Sequence, residues 1–169
     1  MKTLILGLGN PVLGDDGVGW RVADEVKQQL LDPSVEVDSF GLGGLSLMER
    51  LIGYDRAVLI DAVVSKGAQP GEVQSFPLQD LADPSAGHTS SSHDTSFQTA
   101  LELGRRMGAH LPDHIRVVAV QAQNVYDFSE ELSPLVEAAV PEAVRRVMEA
   151  ISNPADPSSD RLAGQRQAA

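Results

Sequence analysis

The first twenty residues constrain the fold more than any other stretch of this chain. Leu4, Ile5, Leu6 and Leu8 form an apolar run without the alternation of a half-exposed strand. It reads as a strand buried on both faces, as in the interior of a parallel sheet. Gly7, Gly9 and Asn10 follow, residues that let the backbone turn sharply. Asp15 and Asp16 then precede a segment with Val18, Val22, Val26 and Leu30 at helical spacing. Carboxylates there fit two roles. They cap the free N–H groups of a helix start, or they belong to a site, because ligands of open α/β sheets bind outside the carboxyl ends of the strands.

The remaining segments repeat this alternation of strand and helix. Asp32-Pro33-Ser34 ends the first helix, and Val35–Phe40 alternates as a second strand. Leu45, Met48, Leu51 and Ile52 mark a short helix. Residues 57–64 give a third strand, apolar but for Asp61, and residues 72–76 an alternating fourth strand near a sheet edge. Residues 78–94 are irregular, and a helix over 95–108 follows, with Phe97, Leu101 and Met107 expected inward. Residues 116–121 form the fifth strand, residues 123–131 a second irregular stretch, and 135–151 a last helix that Pro141 is expected to kink or restart. The order implies a three-layer α/β/α sandwich with a mainly parallel sheet.

Bulk properties narrow the function. The 169 residues suit one domain over 1–151, and residues 152–169 lack periodicity and apolar content, as expected of a disordered tail. No apolar run approaches the roughly 18 residues of a membrane span, and no signal-peptide pattern opens the chain. The expected compartment is the cytoplasm. With no cysteine, any metal site must use His and carboxylate. A formal net charge of -11 argues against nucleic acid as a partner.

Asp61 is the oddest residue, since a carboxylate in an apolar strand needs a partner, a metal or solvent. A strand-end Asp capping the next turn is the simpler account of it. His93, beside Ser92 and Asp94, is by default a solvated loop histidine. His88 has no feature that selects it, and His110 and His114 flank Pro112 where exposure is expected. Taken together, Asp16, Asp61 and His93 fall near the ends of strands on one rim. Two carboxylates and an imidazole suit a borderline divalent ion such as nickel or zinc and leave coordination positions open.

These residues carry a resemblance. Leu6-Gly7-Leu8-Gly9-Asn10, Gly14-Asp15-Asp16-Gly17-Val18-Gly19, Ile60-Asp61-Ala62 and Ser92-His93-Asp94, continued by Leu132-Ser133-Pro134, resemble the hydrogenase maturation endopeptidases over about residues 1–151. The resemblance implies a five-stranded α/β/α sandwich with one antiparallel strand. It implies a peptidase that removes the C-terminal extension of the [NiFe] hydrogenase large-subunit precursor after nickel insertion. Asp16, Asp61 and His93 match the family's metal ligands and are the expected catalytic set. Nickel is expected to come with the substrate, and cadmium or zinc to occupy the site in vitro. The precursor is the expected partner, the protein itself a monomer, with neither membrane nor nucleic acid involved. One departure is Ser39-Phe40-Gly41-Leu42, where many members carry an Asp-Gly-Gly-Thr-like turn, which bears on substrate choice.

Three other readings compete with this one. Gly7-Leu8-Gly9-Asn10-Pro11 also resembles the opening of peptidyl-tRNA hydrolase, but that family's His-Asn pair does not follow and the acidic charge disfavours tRNA. A dinucleotide-binding loop fails because Val12 holds the third glycine's place and Asp15-Asp16 would repel a pyrophosphate. A non-catalytic nickel carrier or checkpoint protein would need the same three ligands.

Overall fold

The burial that β1 (Thr3–Leu8) demands is supplied by strands on either side and helices above and below. The computed structural model describes residues 1–80 and 96–153. In chain order the further elements are α1 (Val18–Gln29), β2 (Val35–Phe40), α2 (Gly44–Arg50), β3 (Arg56–Val63), β4 (Val73–Pro77), α3 (Phe97–Arg106), β5 (His114–Gln121) and α4 (Pro134–Ser152). The five strands form one sheet in the order β2-β1-β3-β5-β4. All pairs are parallel except β4 with β5, and the alternating β4 is an edge strand, as its pattern implies.

Alternate residues of each central strand feed two separate cores, giving the α/β/α sandwich. Ile5, Val58, Ile60, Val118 and Val120 meet α1 and α4 on one face. Leu4, Leu6, Leu59, Val117 and Ala119 meet α2 and α3 on the other. The period of two along the strands is what lets one sheet serve both layers. Among the described residues no helix is long and apolar enough to cross a membrane.

Two local expectations are corrected. Met107 is 77% exposed. The helix ends at Arg106, and Gly108 turns away with positive φ (83°). Leu101 is buried as expected, and Gly104 takes the inward place expected of Met107. Helix α4 does not restart at Pro141 but runs through it. The buried stripe of Val136, Val140, Val144 and Val147 holds the helix on the sheet despite the bond Pro141 cannot donate. The expected tail lies outside the described residues beyond Asn153, and Ser152 still belongs to α4.

Candidate functional site

The turn between β1 and α1 lies against the carboxyl end of the sheet because glycines let main chain touch main chain there. A Cβ on Gly19 would stand 2.3 Å from the Leu8 carbonyl oxygen and 2.6 Å from that of Ile60. The start of α1 therefore rests directly on β1 and β3. Gly9 has a φ of +111°, and a side chain there would meet the Asp16 carbonyl oxygen at 2.0 Å. These approaches bring Asp16 to Asp61.

The adjacent carboxylates do different things, and neither caps α1 through its side chain. Asp15 is fully buried. Its Oδ2 accepts from the backbone N–H groups of Gln123 and Asn124, both at 2.9 Å, and from the Ser133 hydroxyl at 2.9 Å. Its Oδ1 accepts from the Ser133 N–H at 2.6 Å. Burial opposes its ionisation, but these four bonds outweigh burial and hold its carboxyl below the ordinary value of 3.8. Asp15 is thus a buttress that ties the turn to the β5–α4 connection and to the residue preceding α4. Sequence reading missed this role. The available signal was Ser133-Pro134, a helix-start pair whose Ser hydroxyl is turned to another chain segment.

Asp16 is half-buried, and its Oδ2 accepts from the Asn10 N–H at 2.7 Å, which fixes the side chain's direction. Asp61 is half-buried near the carboxyl end of β3. Burial, then the negative charge of Asp16, push its carboxyl up from 3.8 to about 7, against a bond from the Ala62 N–H. Two carboxylates close enough for one to oppose ionisation of the other make a site for a proton or a cation. Their oxygen donors fit a divalent metal, though among the described residues no three His, Cys, Asp and Glu gather as a complete metal site. His93, the third expected ligand, and His88 lie outside the described residues. His110 and His114 are exposed as expected, His110 bonding Asp55 at 2.9 Å far from the carboxylate pair.

A doubly covered, mainly parallel sheet with a carboxylate pair at its carboxyl rim defines an open α/β/α protein, a class whose ligands bind at that rim. The comparisons with known proteins narrow this. The family model described as hydrogenase maturation protease matches residues 20–150, and the chain belongs to that family. It is 29% identical over 153 residues to the hydrogenase 2 maturation protease of Escherichia coli strain K12, covering 89% of this chain and 91% of that protein. It is 27% identical to the hydrogenase expression/formation protein HupD of Thiocapsa roseopersicina, covering 88% of this chain but 66% of that protein's length. The solved structure of the hydrogenase maturating endopeptidase HybD from Escherichia coli superposes with a TM-score of 0.75 at 28% identity, over 91% of this chain and 94% of that one.

Proposed function

We infer that the protein is an endopeptidase that removes the C-terminal extension of a [NiFe] hydrogenase large-subunit precursor once nickel is in place, with the substrate's nickel as the recognition signal. The observation that carries this reading is the coupled pair Asp16 and Asp61 at the rim. Two carboxylates that repel one another gain from a cation between them, and a precursor arriving with its own divalent ion supplies one. Asp16, held by Asn10, and Asp61, ionised as the cation displaces its proton, are the ligands assigned here, with His93 as the third. The open positions of such a site accommodate donors from the substrate, so the ion is shared by two proteins and need not reside in the free enzyme. The cytoplasm, where nickel insertion would precede cleavage, is the compartment this reading requires.

The test offers purified protein two precursors, one nickel-free and one nickel-loaded, and reads the mass of the product. Cleavage of the loaded form alone is expected. Equal cutting of both would remove nickel as the trigger. Binding of the loaded form without any cleavage would leave a carrier or checkpoint protein.

A further inference from the structure

The chain contains four Phe, two Tyr and one Trp, and only Tyr126 and Phe128 are largely in solvent, 86% and 90% exposed. Single exposed apolar residues are common and need no explanation. These two stand in one short loop, and that loop is tightly held. Asn124 Oδ1 accepts from the N–H groups of Tyr126 and Asp127 at 3.4 and 3.3 Å, and its amide donates to Asp127 Oδ2 at 3.0 Å. The Gly14 N–H donates to the Ser129 carbonyl at 2.7 Å and the Ser129 N–H to the Val12 carbonyl at 3.1 Å. The buried Asp15 carboxylate fixes the loop's start at Gln123 and Asn124. Two aromatic rings are therefore presented on an ordered support, bonded to the turn that carries Asp16.

The surroundings are acidic. A groove of about 480 Å³ runs along the same turn between Pro11 and Trp20, walled by Asp24, Glu130, Glu131 and Glu137. Its one cation, Arg21, already pairs with Glu137 at 3.0 Å and Glu25 at 3.5 Å. An aromatic pair on an ordered loop that runs directly into Glu130 and Glu131 of this wall is the arrangement of a protein–protein anchor with a charged rim.

We propose that Tyr126 and Phe128 anchor the folded body of the precursor, through an apolar depression on it bordered by Lys or Arg, while the scissile segment reaches Asp16 and Asp61. This rests on the protease reading for the identity of the partner. The rings stand on the loop bonded to the turn that carries Asp16 and are not among the residues assigned to the site, so they act on substrate affinity and leave the chemical step alone. The partner's cations meet Asp127, Glu130 and Glu131, which gives the association its charge complementarity.

The experiment measures initial cleavage rates against concentration of the nickel-loaded precursor, and binding of that precursor to immobilised protein. It uses the wild type, the double variant Tyr126→Ser/Phe128→Ser and the control Met107→Ser, a largely solvated residue just after α3. In the double variant KM and Kd are expected to rise at least about tenfold, with kcat within about twofold, as for truncation of two interface anchors. The control is expected to match the wild type, and wild-type binding to weaken as salt rises from about 50 to about 500 mM. Were the double variant not to fold, each single variant should show about a threefold rise. Values within twofold of wild type would overturn the docking surface while leaving the protease reading intact. Wild-type binding without cleavage, lost in the double variant, would overturn the protease reading and support the surface. A wild type that neither binds nor cleaves the precursor would overturn the surface.

Discussion

Replacing Asp61 with Asn in chelator-treated, metal-free protein is expected to raise its stability by an amount that grows with pH. The Asp61 carboxyl sits at about 7 in the folded chain against 3.8 ordinarily. Between those values the native state keeps a proton that the unfolded chain has released, so stability falls as pH rises through that window and levels off above it. About three pH units at roughly 1.36 kcal/mol each set a ceiling of about 4 kcal/mol by pH 8. Water at the half-open rim reduces this to about 2–3 kcal/mol. For a chain of this length that corresponds to about 5–10 °C in Tm. The assay is thermal unfolding of both proteins at pH 5 and pH 8, where the advantage of Asp61→Asn should be small at the lower pH and large at the higher. Asp16→Asn should flatten the wild-type profile by removing the second cause of the shift. Parallel pH profiles for wild type and Asp61→Asn, or a less stable Asn variant at pH 8, would refute the reasoning.

Two further outcomes follow from the same turn. Asp15→Ala strips the acceptor from the N–H groups of Gln123, Asn124 and Ser133 and should cost about 3–5 kcal/mol in chemical denaturation. Because its carboxyl is held below the ordinary value, the charge-dependent part of its contribution is present above about pH 4 and lost as pH falls further, so the gap between the two proteins should narrow in acid. Gly19→Ala forces a methyl to 2.3 Å from the Leu8 carbonyl oxygen, and α1 must lift from the sheet. Loss of the cooperative unfolding transition, or of several kcal/mol, is expected in a urea titration, whereas an unchanged midpoint would contradict the packing described.

The strands and helices were legible because their apolar spacing is set by the two cores they face. The run at Leu4–Leu6 and the alternation of Val35, Val37 and Ser39 leave little choice of element. Asp61 was legible for the opposite reason, as a carboxylate where the pattern calls for an apolar residue. Met107 was misread because helical periodicity does not say where the helix stops, and Gly108 stops it. The division of labour between Asp15 and Asp16 was hidden because it depends on residues more than a hundred positions away, which no local pattern carries. Likewise Glu36 and Asp38 look like a solvent face, yet Arg50 from α2 bonds both, at 2.5 and 2.9 Å. The aromatic pair at 126 and 128 lay in a segment read only as irregular.

The strand order carries a consequence for how the chain is made. Among the described residues, β4 pairs only with β5, which is synthesised after it, and β5 also pairs with β3. The anchors of Asp15 lie at 123, 124 and 133, near the end of the described chain. During synthesis from the amino end, β4 must therefore wait without a neighbour until β5 slides in between, a non-local and slow closure. A nascent chain released before Gln123 carries both Asp16 and Asp61 but lacks every group that bonds the Asp15 carboxylate and locks the turn. An incomplete chain thus bears both carboxylates without the contacts that hold the turn carrying Asp16 against the sheet.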